Sequence, residues 1–290
     1  MGIKPKKKLF GASFFTGNTG ENVIPYRQKK KGENPMRIMI IRHGDPNYDL
    51  DVLTERGKLE AAALAKWLTT QSIDDIYVSP LGRAQETAAF TLEALGKTAE
   101  TMDWLEEFPA TVRLSESETL MQAMPLPWAD RPDDDRFAWD ILPGYWMNEP
   151  NYFDREKWRD TELCRHSDMI GVYDRVVRGL EELLARYDIY PEGGCWRVEK
   201  STHRTAALFC HFGVECVLLS RLLGISPFPL WHGFVSLTSG VTLVNTEERK
   251  KGIANFRTAY FGDLSHLALA GIEPNFSGRY CECFEDETRH

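Results

Sequence analysis

The stretch MRIMIIRHG, residues 36–44, decides the fold of this chain. Its first six residues are β-branched or otherwise apolar except for Arg37, a pattern typical of a short strand buried in the middle of a sheet. Arg42, His43 and Gly44 follow where that strand ends. In open α/β sheets the ligand crevice lies at the carboxyl ends of the strands, so we expect His43 to face a cleft.

Strand and helix patterns alternate beyond this stretch. Thr54 is a good helix N-cap, and the helix that follows is predicted to pack through Leu59, Ala62, Ala63, Ala65 and Trp67. Further strands are predicted at 75–78, 206–210 and 240–244, and further helices at 84–95, 167–187 and 214–223. This alternation predicts an α/β protein, a three-layer α/β/α sandwich with a mostly parallel central sheet.

Two regions interrupt the alternation. Residues 1–35 are basic and lack apolar periodicity, so we expect a mobile basic leader before a single domain at 36–290. Residues from about 109 to 166 hold four of the eight tryptophans and several prolines. We interpret this insert either as an aromatic subdomain packed on the core or as a lid over the cleft near His43, and the two interpretations are compatible.

Composition excludes several classes of protein. The net charge is −8 although the leader is basic, so the remaining chain is acidic and unsuited to binding nucleic acid. No stretch approaches the roughly 20 apolar residues of a membrane span, and no apolar run follows the N-terminal lysines. The six cysteines match no zinc or CxxC pattern, and Cys210 and Cys216 are expected in the core. We therefore expect a cytoplasmic protein with no nucleic-acid or membrane partner.

Two histidines occupy matched positions. His43 and His211 each follow an apolar strand and precede a glycine-containing turn, so both imidazoles are expected in one cleft. Arg42 directly precedes His43, and Arg83 follows the strand end at 79–80. Guanidinium groups match phosphate oxygens as a bidentate fork, and a cation at a helix N-terminus stands against the helix dipole. Together these side chains indicate a site for a phosphoryl group.

Three motifs, in this order and at this spacing, resemble the histidine phosphatase superfamily. They are RHG at 42–44, LTERG at 53–57 and SPLGRAQETA at 79–88. The resemblance is strongest over 36–108 and resumes at 206–245. It implies that His43 attacks phosphorus and becomes phosphohistidine, while Arg42, Arg83 and His211 bind the phosphoryl oxygens. It implies no metal and no other cofactor, since the arginines supply the positive charge.

The family also uses a carboxylic acid that protonates the leaving alcohol. The family pattern of Leu, any residue, Glu and an apolar residue falls on residues 105–108, which makes Glu107 the preferred acid and Glu106 the alternative. Asn47 is a candidate to reach the phosphate, and Tyr48 to line the pocket. The backbone N–H of Phe212 can bond the phosphate, with its side chain directed toward the substrate pocket.

The sequence thus predicts a metal-independent phosphatase that hydrolyses a small phosphate monoester through phosphohistidine. A cofactor-dependent phosphoglycerate mutase is the alternative enzyme, although the loop between His43 and Leu53 is shorter than in mutases. Phe212 stands where the family usually has the first of two glycines. That departure and the insert leave open a third hypothesis, an inactive relative that binds phosphorylated partners. The substrate and the oligomeric state stay open, a dimer being one option.

Overall fold

The computed structural model describes residues 35–125 and 135–275. The expected leader, apart from Pro35, and part of the insert lie outside the described residues. The strands are β1 Arg37–Arg42, β2 Pro46–Asn47, β3 Val52–Leu53, β4 Asp75–Val78, β5 Glu100–Thr101, β6 Thr111–Val112, β7 Arg136–Phe137, β8 Ile189–Glu192, β9 Cys195–Val198, β10 Thr205–Cys210, β11 Val241–Lys250 and β12 Ile253–Asp263. The α-helices are α1 Glu55–Leu68, α2 Gly82–Leu95, α3 Glu118–Gln122, α4 Pro143–Trp146, α5 Glu162–Arg165, α6 Met169–Ala185, α7 Phe212–Leu223, α8 Phe228–Gly233 and α9 Ser265–Ala270.

One sheet of eight strands organises the described part of the chain, in the order β5-β4-β10-β1-β11-β12-β9-β8. The strands from β5 to β1 are parallel, whereas β11, β12, β9 and β8 each run antiparallel to their neighbours. The fold class is confirmed, and the sheet is mixed. Of the four strands in the antiparallel half, the sequence predicted only β11, as a strand at 240–244, and did not predict β8, β9 or β12.

Strand β1 divides the molecule into its layers because successive side chains point to opposite faces of the sheet. Met39 and Ile41 pack in one core with residues of α1 and α2, namely Leu64, Leu68, Ala84 and Ala88. Ile38 and Ile40 pack in the other core with residues of α6 and α7, namely Val176, Leu180, Val214 and Leu218. Cys210 and Cys216 are fully buried in this second core, as expected.

Helix α1 begins where the sequence predicted, because the Thr54 hydroxyl accepts a hydrogen bond from the backbone N–H of Gly57 at 3.0 Å. Its predicted apolar face is wrong in part: Leu59 is 62% exposed, and the buried stripe runs through Leu64 and Leu68. The physical reason is Glu60, which is fully buried and accepts a hydrogen bond from the backbone N–H of Asp45 at 2.9 Å. A buried carboxylate is invisible to a search for apolar periodicity.

The described part of the insert folds around an aromatic cluster centred on Phe228 of α8. The ring centroid of Phe228 lies 4.6 Å from that of Tyr152, 5.6 Å from that of Trp231 and 6.2 Å from those of Trp146 and Trp158. Edge-on and tilted arrangements of this kind are favourable for aromatic rings. The insert is therefore fixed to the same core as α6 and α7.

Across 35–125 and 135–275, no helix combines the length and apolar character that crossing a bilayer would require.

The register of α1 leads to a stability prediction. We expect Leu64→Ala to lower the free energy of unfolding by about 2–5 kcal/mol, because Leu64 is fully buried and its truncation leaves a cavity. The matched substitution Leu59→Ala, on the exposed face of the same helix, should change it by less than about 0.5 kcal/mol. Urea unfolding of the two variants measures both values. Similar losses for the two would contradict the observed register.

Candidate active site

The two histidines lie side by side because their strands are parallel neighbours. Arg42, the last residue of β1, pairs in register with Cys210, the last residue of β10, so His43 and His211 leave the sheet together. Their ring centroids are 5.1 Å apart, and both side chains are buried. The structure thus brings together the two imidazoles that the sequence placed in one cleft.

The protonation state of His43 follows from its hydrogen bond. Its Nδ1 lies 2.7 Å from the backbone carbonyl oxygen of Gly44, which can only accept, so Nδ1 carries the proton and Nε2 the lone pair. Burial lowers the pKa of His43 well below its usual value, and the charge of Arg42 lowers it further. His43 is therefore a neutral imidazole with an unprotonated Nε2, as a nucleophile needs to be.

His211 is held by a serine from the neighbouring strand end. Its Nε2 lies 2.7 Å from the Ser79 hydroxyl oxygen, which also accepts a hydrogen bond from the backbone N–H of Leu81. The Nδ1 atom is buried and has no hydrogen-bond partner within the described residues. Burial lowers the pKa of His211 well below its usual value, with a further contribution from His43.

Arg42 and Arg83 are buried beside the two imidazole rings. Arg42 is 4% exposed and Arg83 is 8% exposed. Arg42 donates to the carbonyl oxygen of Ser236, and Arg83 donates from a terminal nitrogen to Asp51 Oδ1 at 2.6 Å. Among the described residues, the Nε atom of each arginine is buried without an acceptor. Buried cations with unused donors are costly unless an anion completes the site.

Asp51 is a site residue that sequence reasoning missed. Its Oδ2 accepts a hydrogen bond from the backbone N–H of Gly82 at 2.6 Å, while Oδ1 holds Arg83. Its backbone lies in the left-handed region, with φ of 52°. The carboxylate caps α2 from a distant loop, since Leu81 at the N-cap position has no side-chain capping bond. Only the fold brings Asp51 to this helix, so no local pattern could have found it.

The two candidate acids have different surroundings. Glu107 Oε1 accepts hydrogen bonds from the backbone N–H groups of Phe108 at 2.8 Å and Val214 at 3.2 Å, which places it at the start of α7. Burial raises the pKa of Glu107, although these bonds and the two site arginines oppose the shift. Glu106 points away and forms an ion pair with Arg175 of α6. The geometry therefore favours Glu107 over Glu106 as the acid.

Gly213 allows Glu107 to lie against the start of α7. A Cβ atom at this position would lie 2.6 Å from Glu107 Oε1 and 2.9 Å from Trp139 Cη2, so any larger residue would displace one of them. The Phe212 ring packs against Trp139 of the insert, with centroids 5.9 Å apart. The insert thus reaches the start of α7 next to His211, and a phosphate contact from the Phe212 backbone stays a prediction.

Asn47 and Tyr48 lie on the exposed loop after His43. The Asn47 Oδ1 atom accepts from the backbone N–H groups of Asp49 at 3.1 Å and Leu50 at 3.2 Å, a turn typical of asparagine. This turn presents Tyr48, whose ring centroid is 6.4 Å edge-on from that of His43 and 5.4 Å from Arg83 Cζ. Tyr48 thus stands beside His43 and Arg83, whereas its lining of a substrate pocket and the phosphate contact of Asn47 stay predictions.

Glu215 is a second missed carboxyl group, fully buried one turn into α7. It accepts a hydrogen bond from the Thr242 hydroxyl, which in turn accepts one from the backbone N–H of Gly262 at 2.9 Å. Burial raises the pKa of Glu215 to about 7. An acidic residue within the otherwise apolar run 214–219 was the signal that could have identified it.

Comparisons with known proteins agree with this architecture. Residues 38–140 match the model of the histidine phosphatase superfamily (branch 1), which confirms the resemblance seen in the motifs. Solved structures with a similar fold include mycobacterial hydrolase 1, with a TM-score of 0.50 and 18% identity over 78% of this chain and 98% of that one. The native mycobacterial glucosyl-3-phosphoglycerate phosphatase gives a TM-score of 0.50 and 20% identity, again over 78% and 98%. A phosphoserine phosphatase mutant from Entamoeba histolytica, bound to phosphoserine, gives 0.46 and 17% over 80% and 99%. No curated protein matches the sequence.

The buried Glu215 predicts a pH-dependent stability difference. Its raised pKa means that the folded protein holds a proton there that the unfolded chain releases above about pH 4.5, so this stabilisation is lost as the pH rises through about 7. Glu215→Gln is neutral at every pH. We therefore compare the free energy of unfolding of the variant with that of the unsubstituted protein. The difference should shift in favour of the variant by about 3 kcal/mol as the pH rises from about 4.5 to 8. Urea unfolding across this range measures the difference, and a constant difference would contradict the pKa.

Proposed function

We propose that this chain, as a match to the histidine phosphatase superfamily, hydrolyses a small phosphate monoester through a phosphohistidine formed on His43. The observation that carries the proposal is the meeting of an unprotonated imidazole nitrogen with two buried arginines that have unused donors. The proposed nucleophile and anion-binding groups follow different strands of the sheet, and both arginines lie close enough to His43 to lower its pKa. That arrangement suits phosphoryl transfer, which depends on positioning and on neutralising charge.

The phosphoryl group would be held by Arg42 and Arg83. Each has a buried Nε–H without an acceptor in the described residues, and the dianionic phosphate supplies the acceptors that the protein does not. Arg83 stays anchored by Asp51 while it binds, so its guanidinium plane is fixed before the substrate arrives. Both histidines are neutral, which leaves the arginines as the positive charges that face the phosphate.

In the first step, the Nε2 lone pair of His43 attacks phosphorus, and the bond from phosphorus to the ester oxygen breaks. Glu107 gives its proton to that oxygen, so the alcohol leaves neutral. In the second step, water attacks the phosphohistidine, and the Glu107 carboxylate takes a proton from the water. Inorganic phosphate leaves, the phosphorus–nitrogen bond breaks, and His43 returns to its neutral form. The raised pKa of Glu107 fits a group that must hold a proton between cycles.

Replacing the nucleophile tests the proposal directly. We expect His43→Ala to lower kcat/KM for p-nitrophenyl phosphate by at least about 1,000-fold, because it removes the nitrogen on which the covalent intermediate forms. The unsubstituted protein, denatured rapidly during turnover, should carry phosphate on His43, detected by mass spectrometry. The control is His166→Asn, which should keep full activity. His166 is a half-buried histidine that pairs with Glu116. Retained activity in His43→Ala would contradict the mechanism.

The acid is tested by a matched pair of neighbours. Glu107→Gln should lower kcat/KM for an alkyl phosphate by about 100-fold or more, because the alkoxide then leaves without a proton. The loss should be smaller with p-nitrophenyl phosphate, whose leaving group needs little protonation. Glu106→Gln removes only the ion pair with Arg175 and should leave both rates close to those of the unsubstituted protein. The reverse result would assign the acid to Glu106.

A further inference from the structure

We infer that the substrate's alcohol portion carries a planar aromatic group, which binds against Trp139 and Phe212. This inference rests on the proposed function and adds the class of substrate to it. The observation behind it is a set of aromatic side chains that the insert and α7 place beside the predicted acid. None of these contacts is needed to hold the phosphoryl group.

The aromatic set consists of Phe137, Trp139 and Phe212. The ring of Trp139 packs at 6.2 Å from that of Phe137, edge-on, and at 5.9 Å from that of Phe212, tilted by 30°. Phe137 is 46% exposed, while Trp139 and Phe212 are half-buried. Aromatic side chains that are in contact with one another and still partly exposed are found at places where ligands bind.

The position of Trp139 relative to the acid decides what the surface would bind. Glu107 Oε1 and Trp139 Cη2 both lie within 3 Å of the same point, the place where a Gly213 side chain would start. In the proposed mechanism the ester oxygen must lie beside Glu107 to receive its proton. The carbon group bonded to that oxygen then lies next to the edge of the Trp139 indole.

A second exposed aromatic side chain stands beside His43. Tyr48 is 59% exposed, and its ring stands edge-on to His43, fixed by the Asn47 turn and by the Arg83 guanidinium. Leu50, two residues on, is 70% exposed. A planar ring bonded to the ester oxygen would gain aromatic contacts from Trp139, and one that also reached Tyr48 would gain more. A polyol in the same place would meet aromatic carbon in place of hydrogen-bond partners.

The test compares benzyl phosphate with glycerol 3-phosphate. Both release an alkyl alcohol, so a difference in kcat/KM reports the binding of the alcohol portion more than its intrinsic reactivity. We expect benzyl phosphate to be preferred by about 10-fold or more, in line with the energy of aromatic packing. Trp139→Leu should lower kcat/KM for benzyl phosphate by about 10-fold more than for glycerol 3-phosphate.

Phe153→Leu is the matched control, because Phe153 is a 48% exposed aromatic residue of the same insert that packs on Trp146. It should leave the preference unchanged. The ratio of the two substrates within one variant separates a loss of folded protein, which lowers both rates equally, from a loss of selectivity. Equal kcat/KM for the two substrates, or an unchanged ratio in Trp139→Leu, would overturn this inference alone. If the protein hydrolyses none of the three compounds, benzyl phosphate, glycerol 3-phosphate and p-nitrophenyl phosphate, the proposed function is overturned and this inference with it.

Discussion

Two buried arginine side chains constrain the rest of this structure, because the described residues provide acceptors for only some of their N–H groups. Arg42 and Arg83 are taken out of water at the sheet edge, yet each keeps an N–H group without an acceptor in the described residues. Removing a cation from water costs several kcal/mol, so the surrounding fold has to supply that energy from its cores. Burial keeps the two histidines neutral, and the positive charge of the arginines lowers their pKa values further. The donors that stay without an acceptor among the described residues are the ones that the proposed function assigns to a phosphate.

The pairing of the strands positions the residues of the site relative to one another. The parallel register of β1 and β10 fixes the separation of the two imidazoles, whose ring centroids lie 5.1 Å apart. Ser79, at the end of β4, then orients His211 from the next strand along. Three adjacent strand ends therefore determine the site, and the helices that follow them contribute the arginine at α2 and the backbone donors at α7.

The sequence was informative wherever the chemistry was local. The RHG motif, the N-cap at Thr54 and the apolar strands could be recognised because each depends on neighbours a few residues away. The sequence did not predict residues whose position depends on contacts between distant segments of the chain. Asp51 caps a helix that begins thirty-one residues later, and Glu60 is buried because the loop after His43 folds over it. The choice between Glu106 and Glu107 likewise depended on α7, which lies more than a hundred residues further along.

The hydrogen bond between Arg42 and the carbonyl oxygen of Ser236 spans 194 positions of the chain. A ribosome making this protein therefore releases β1 long before it has synthesised Ser236, the acceptor for Arg42. Until Ser236 emerges, the Arg42 side chain is better off in water, and the β1 edge that β11 later covers stays open. The arrangement around Arg42 can be completed only after Ser236 has emerged, so chains truncated before this position are expected to lack it and to be prone to aggregate.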